Sequence, residues 1–132
     1  VNSMKLIVVD DEQDVQILFK QKFRKEIKSG EMNIYFAFNG HSALELVEKL
    51  EHPEGYLVLT DINMPEMSGI ELLEKIKNKY PKLKVVMITA YGDEQNFNMA
   101  KELGADEYFT KPLEFDSLKS KISNLLTTKK GD

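Results

Sequence analysis

The chain has 132 residues, of which 42% are hydrophobic and 30% are charged, proportions typical of one folded domain and not of a disordered protein. Its formal net charge of -4 at pH 7 argues against direct nucleic-acid binding, and no apolar run approaches the ~20 residues of a membrane span, so no membrane insertion is expected. It contains no cysteine, which excludes disulfides, thiol chemistry and zinc–thiolate sites and makes the cytoplasm the expected location.

The first half of the chain predicts two strands and two helices. Residues 6–9 form a continuous apolar run, which indicates a strand buried on both faces, and the run ends at Asp10 and Asp11. Apolar residues then recur at helical spacing up to a glycine, which predicts one amphipathic helix. A second strand is predicted over 33–38, followed by a second helix that ends before Pro53.

The third predicted strand leads to the residue on which the functional interpretation depends. Residues 56–60 are apolar or β-branched and run directly into Asp61, after which Asn63, Pro65 and Gly69 indicate a loop. A third amphipathic helix follows this loop and ends at the next proline. The acidic residue is therefore expected at the mouth of a buried strand, where ligands bind in open α/β sheets.

The last part of the chain predicts two more strands and two more helices. Residues 85–89 are apolar and end at Thr89, and a shorter, more polar helix follows them. Residues 107–111 predict a fifth strand that ends at Lys111, just before Pro112. A final amphipathic helix completes the pattern.

The chain is expected to contain one domain. Met4 is interpreted as the natural start and residues 1–3 as a remnant of cloning, so the domain is predicted over 4–130, with 131–132 as a C-terminal tail. Strands that alternate with helices form parallel neighbours joined by right-handed crossovers. The predicted fold is therefore α/β, a five-stranded parallel sheet with helices on both faces.

In such a sheet the carboxyl ends of all strands lie at one edge. The polar residues expected there are Asp10, Asp11, Asp61, Thr89 and Lys111. Three neighbouring carboxylates repel one another, and a divalent cation would relieve that repulsion. Because no histidine or cysteine is predicted nearby, a hard ion such as Mg²⁺ is favoured, with Mn²⁺ as a substitute. With the ion, the lysine and the threonine hydroxyl can cover phosphoryl oxygens, so Asp61 is predicted to be a phosphoryl acceptor.

These motifs, in this order, resemble the receiver (CheY-like) domain of two-component response regulators. The motifs that carry the resemblance are Asp10-Asp11, Asp61 with Pro65 and Gly69 after it, Thr89-Ala90, and Lys111-Pro112. The resemblance extends from Met4 to about Lys130. It implies a flavodoxin-like fold of five β–α units and a phosphoprotein of a phosphorelay. It also implies that Asp61 receives a phosphoryl group from the phosphohistidine of a sensor kinase or of a phosphotransfer protein.

The resemblance also implies how the ion and the phosphoryl group are held. Asp11, Asp61 and the backbone carbonyl of Asn63 would bind Mg²⁺ directly, and Asp10 would bind it through water. Lys111 would contact the phosphoryl oxygens in the product. No general base is required, because positioning and charge neutralisation dominate phosphoryl transfer.

Two residues are implied to switch the output surface, formed by the fourth and fifth β–α units. The hydroxyl of Thr89 would bond to the phosphoryl group, and Tyr108 would rotate into the space behind it. Asn63 and Tyr91 would tune the lifetime of the phosphorylated form by controlling water. The peptide bond after Lys111 is expected to be cis.

Two other functions are left open by the residues. Metal-dependent phosphohydrolases of α/β fold also use an aspartate as phosphoryl acceptor, but they usually place a second acid where this chain has Asn63. A pseudo-receiver that only binds partners would not need the complete set of acids, threonine and lysine. The preferred interpretation is a signalling domain without turnover of a separate substrate, partnered by a kinase and a downstream effector. It is expected to be either a stand-alone domain or a fragment of a larger protein.

Overall fold

A computed structural model describes residues 3–90 and 92–127 of the chain. Tyr91, most of the predicted cloning remnant and the predicted tail lie outside the described residues. The strands are β1 (Met4–Val9), β2 (Met32–Ala37), β3 (Leu57–Asp61), β4 (Lys84–Thr89) and β5 (Glu107–Thr110). The α-helices are α1 (Gln13–Lys22), α2 (Arg24–Ser29), α3 (Gly40–Glu48), α4 (Gly69–Lys79), α5 (Glu94–Glu102) and α6 (Phe115–Thr127), with a short 3-10 turn at Pro53–Gly55.

The five strands form a parallel sheet in the order β2-β1-β3-β4-β5. The register pairs Val9 with Thr60 and Asp61 with Ile88, so the carboxyl ends of β1, β3 and β4 lie side by side. Strand limits differ from the predicted ones by one or two residues, and Asp61 is itself the last residue of β3. The predicted α/β fold and its parallel sheet are confirmed.

Helices cover both faces of the sheet and bury two apolar layers. On one face, α3, α4 and α5 contribute fully buried side chains such as Val47, Leu73 and Ala100. On the other face, α1 and α6 contribute Phe19 and Ile122. Burying these layers supplies most of the driving force for folding and holds the strand ends in fixed positions. Within the described residues, no helix is both long and apolar enough to cross a membrane.

The sequence predicted one helix between β1 and β2, but the structure has two, α1 and α2. The described residues therefore contain six α-helices, and the expected number of five was wrong. The break is at Phe23, whose backbone adopts φ -108° and ψ 25°. The Phe23 ring is buried against Phe19 and Phe115, with ring centroids 6.0 and 5.5 Å away. We attribute the break to this packing, because an aromatic cluster outweighs the weak helical preference of a single residue.

Candidate acidic site at the carboxyl edge of the sheet

Three carboxylates meet where β1 and β3 end. Asp10 and Asp11 follow β1, and Asp61 ends the neighbouring strand β3. One carboxylate oxygen from each of the three residues lies within 4.8 Å of the others. The sequence prediction that these acids converge is therefore met by the geometry of adjacent parallel strands.

Asp10 is the acid most strongly affected by its surroundings. Its side chain is 2% exposed and accepts a hydrogen bond of 2.9 Å from the backbone N–H of Glu12. The pKa of Asp10 is raised from 3.8 to about 6, and burial is the largest cause. The charge of Asp61 also raises this pKa, whereas the hydrogen bond from Glu12 lowers it. The cluster therefore holds negative charge that its own surroundings do not fully compensate.

The backbone next to Asp61 is held by β4 and by the start of α4. The N–H of Ile62 donates to the carbonyl of Ile88 at 3.2 Å, and the N–H of Gly69 donates to the carbonyl of Ile62 at 2.7 Å. A Cβ atom on Gly69 would collide with the Asp61 carbonyl oxygen, so this close approach requires glycine. Asn63 lies exposed in the loop between β3 and α4, two residues beyond the acid.

Lys111 reaches into the acidic cluster from the end of β5. Its Nζ atom lies 3.3 Å from Oδ2 of Asp61, and its backbone N–H donates to the Thr89 carbonyl at 3.0 Å. The Lys111–Pro112 peptide bond is cis, as the sequence resemblance implied. The lysine side chain is 43% exposed while Asp61 is 8% exposed, so the cation approaches the carboxylate from the solvent side.

Thr89 and Tyr108 lie on the β4–β5 side of the acids. Thr89 is buried at the end of β4, and Tyr108 is half-buried in β5, paired with Met87. The Tyr108 hydroxyl has no hydrogen-bond partner among the described residues, and burial raises the pKa of Tyr108 above its usual value of 10. Sequence reasoning missed its contact with Phe97 of α5, whose ring centroid is 4.4 Å from that of Tyr108. The helical stripe of apolar residues contained Phe97 but could not show that it faces this tyrosine.

A cavity of about 760 Å³ borders the acidic cluster. It lies between α1 and the start of α6, and its lining includes Asp10 and Lys111 beside the apolar side chains of Val15, Phe19 and Phe115. A partner that fills this space can therefore contact apolar surface and the acidic cluster at the same time.

Comparison with known sequences identifies the family. The sequence profile of the response regulator receiver domain matches residues 6–123. The chain is 36% identical over 125 residues to the sporulation initiation phosphotransferase F of Bacillus subtilis, covering 95% of each protein. It is 32% identical over 131 residues to a chemotaxis protein CheY homolog of Campylobacter jejuni, covering 98% of this chain and 97% of that protein.

The fold gives the same result. The response regulator protein TrrA of Thermotoga maritima, solved in complex with Mg²⁺ and BeF, superposes with a TM-score of 0.77 and 33% identity, covering 93% of this chain and 99% of that one. Similarity in sequence and in fold thus extends over nearly the whole length of the chain. The chain belongs to the family of response regulator receiver domains.

Proposed function

We propose that Asp61 is the phosphoacceptor of this receiver domain. The observation that carries the proposal is the meeting of Asp10, Asp11 and Asp61 within 4.8 Å, with the Lys111 ammonium 3.3 Å from Asp61. A carboxylate that is largely buried, next to a cation and to two further acids, fits a nucleophile for phosphoryl transfer.

The donor set fits a hard divalent cation. All three acids contribute carboxylate oxygens, which are the ligands that Mg²⁺ prefers, and the raised pKa of Asp10 reflects burial together with the nearby charge of Asp61. Asp11, Asp61 and the Asn63 carbonyl would hold Mg²⁺ directly and Asp10 through water, with Mn²⁺ as a substitute. When bound, the ion would neutralise charge on the phosphoryl oxygens.

In the proposed reaction, a carboxylate oxygen of Asp61 attacks the phosphorus of a phosphohistidine. The new O–P bond forms as the N–P bond breaks, and the imidazole nitrogen keeps the electron pair of that bond. The Lys111 ammonium, already beside Asp61, supplies a fixed positive charge for the transferred group. Because the next residue, Ile62, is hydrogen-bonded both to β4 and to the start of α4, the Asp61 nucleophile would need little reorganisation.

The response to phosphorylation is proposed to pass through Thr89 and Tyr108. A phosphoryl group adds acceptor oxygens, and the Thr89 hydroxyl is the group we assign to donate to one of them. Movement of Thr89 would open space for Tyr108, whose hydroxyl lacks a partner among the described residues. Because the Phe97 ring packs against Tyr108 with a centroid separation of 4.4 Å, movement of Tyr108 would displace α5. Tyr91, with Asn63, is proposed to tune the lifetime of the phosphorylated form.

The partners proposed from this chemistry are a sensor kinase or phosphotransfer protein, which delivers the phosphoryl group, and a downstream effector. The apolar and charged cavity beside Asp10 supports docking of the phosphodonor protein there. The domain would catalyse only its own modification and slow dephosphorylation. The cytoplasm is the proposed location, because a sensor kinase that draws its phosphoryl group from ATP would act there.

The test is phosphorylation by acetyl phosphate with Mg²⁺, followed by intact-mass spectrometry. We expect one acid-labile phosphoryl group on the wild type, none on Asp61→Asn, and a large loss of uptake when EDTA removes the ion. Asp14→Asn is the matched control, because Asp14 is an exposed acid in α1 outside the cluster. Uptake by Asp61→Asn equal to wild type would contradict the proposal. Sustained turnover of a free phosphomonoester would indicate a phosphohydrolase instead.

A further inference from the structure

A second, basic groove lies at the β2 edge of the sheet, away from the acidic site. It has a volume of about 310 Å³ and is lined by Lys20, Arg24, Ile27, Lys28, Ile34 and Phe36. It shares no lining residue with the cavity beside Asp10. Three apolar side chains from α2 and β2 form its floor, and three cations from α1 and α2 form its rim.

The three rim cations have no carboxylate partner among residues 3–90 and 92–127. By contrast, Lys119 of α6 pairs with Glu26 of α2 at 2.7 Å. Lys20 instead lies 5.4 Å from the centroid of the Phe36 ring. Arg24 and Lys28 are four residues apart in α2, a spacing at which like charges destabilise a helix. A rim of uncompensated positive charge on a chain of net charge -4 is complementary to an acidic ligand.

The strand beside this groove has an open edge without charged side chains. β2 is the outermost strand on its side of the sheet, and its sequence Met-Asn-Ile-Tyr-Phe-Ala carries no charge or proline. Natural edge strands usually carry such residues to prevent pairing with another chain. At the opposite edge, β5 begins with Glu107, which pairs with Lys121.

Backbone groups of β2 are directed to that open edge. The carbonyls of Glu31 and Ala37 accept hydrogen bonds from Met4 and Asp10, so the odd-numbered residues face β1. By alternation, the N–H and C=O groups of Ile34 and Phe36 point outward. The two strand residues whose side chains form the groove floor therefore also present backbone groups that have no strand partner within residues 3–90 and 92–127.

We propose that this groove binds an extended acidic segment of a partner protein, which pairs with β2 as an added strand. Its backbone would bond to Ile34 and Phe36, its apolar side chains would cover the groove floor, and its carboxylates would meet the rim cations. A second copy of this chain is a poor occupant, since two β2 edges would bring the two basic rims together. A concave groove of this volume suits a few side chains better than a lipid surface, and three cations are few for a nucleic-acid backbone.

The probe is an acetylated and amidated peptide of about ten residues that alternates glutamate with valine. We expect it to shift the amide NMR signals of Ile34 and Phe36 and to slow their hydrogen exchange. The same peptide with lysine in place of glutamate is expected to leave both signals unchanged. Higher salt should weaken binding, because the rim contacts are exposed.

The deciding variants reverse one charge on the same helix. Arg24→Glu removes a rim cation, whereas Lys25→Glu makes the same change in charge at an exposed residue outside the groove. We expect Arg24→Glu to weaken peptide binding about five- to tenfold and Lys25→Glu to change it less than about twofold. No shift in the β2 signals at millimolar peptide, or equal effects of the two variants, would overturn the proposal. Tighter binding of anionic vesicles or DNA at the same residues would also overturn it, in favour of that ligand.

Discussion

Two clusters of charged side chains lie at opposite ends of the strands, one at the carboxyl edge of the sheet and one at its amino edge. They differ in how far their charges are compensated. At the carboxyl edge, three carboxylates face the single ammonium of Lys111 within the described residues. At the amino edge, Asp106 and Lys77 form a pair at 2.9 Å, and both are less than a quarter exposed. Asp106 also accepts from the backbone N–H of Val85 at 2.8 Å, and Lys77 donates to the carbonyl of Leu83 at 2.9 Å.

The difference separates a cluster whose charges are compensated from one whose charges are not. The Lys77–Asp106 pair satisfies its charges and ties α4 to the starts of β4 and β5. Such a pair is complete without any ligand. The acidic cluster keeps like charges together in a partly buried place, which is a cost to folding that a bound divalent cation would relieve. Replacing a carboxylate by a carboxamide should therefore have opposite effects at the two edges.

The largest effect is expected for Asp10→Asn in the ion-free protein. At pH 7 the wild type must hold Asp10 ionised although its folded pKa is about 6, and the uncharged amide removes that penalty. We expect the free energy of unfolding to rise by about 2–3 kcal/mol, measured by urea unfolding in EDTA. The same variant should bind Mg²⁺ more weakly at the proposed site, because one of the three negative charges of the cluster is lost.

The raised pKa of Asp10 also predicts how the stability of the wild type changes with pH. The folded state binds more protons than the unfolded state between about pH 4 and pH 6, because burial raises the pKa of Asp10 in the folded state. The wild type should therefore lose the stability linked to this group as pH rises through that window. The difference from Asp10→Asn should be small near pH 4 and constant above pH 7. A difference that does not vary with pH would show that the gain comes from packing and not from charge.

Asp106→Asn, the same chemical change at the amino edge, is expected to destabilise the protein. The amide can still accept from Val85, but it leaves the Lys77 ammonium without its counter-charge in a site that is only 16% exposed. We expect a loss of about 1.5–2 kcal/mol by urea unfolding, with no effect on Mg²⁺ binding at the other edge. Equal or greater stability than wild type would mean that the pair contributes nothing to the fold.

The sequence predicted the residues that meet at the carboxyl edge better than those that meet at the amino edge, for a physical reason. Parallel strands that alternate with helices must end at one edge, so Asp10, Asp61 and Lys111 could be placed together from strand order alone. The Lys77–Asp106 pair joins the last turn of α4 to the turn before β5, and no periodicity in the sequence indicates that contact.

Features that depend on packing of side chains were also beyond the sequence. The helical pattern of apolar residues continues through Phe23, so the break there follows only from the aromatic cluster that buries its ring. The basic groove at β2 likewise requires the position of α2 over the edge strand. The tilted contact between the Phe97 and Tyr108 rings depends on the angle at which α5 meets the sheet. Sequence pattern specifies which elements form, whereas these contacts depend on how the elements meet.

The smallest effect is expected for Glu107→Gln, which lies beside Asp106 at the same edge. Glu107 approaches Lys121 at 3.7 Å, but the two side chains are 32% and 52% exposed. Within the described residues, neither side chain bonds to the Lys77–Asp106 pair or to the backbone groups of Val85 and Leu83 that this pair contacts. Exposed pairs of this kind contribute little, so we expect a change in unfolding free energy below about 0.5 kcal/mol. The free energies of unfolding of Glu107→Gln and Asp106→Asn are measured in urea under the same conditions and compared. Equal losses of stability in Glu107→Gln and Asp106→Asn would contradict this prediction. They would show that general charge attraction, and not the hydrogen bonds of Asp106, accounts for the contribution of the amino-edge charges to stability.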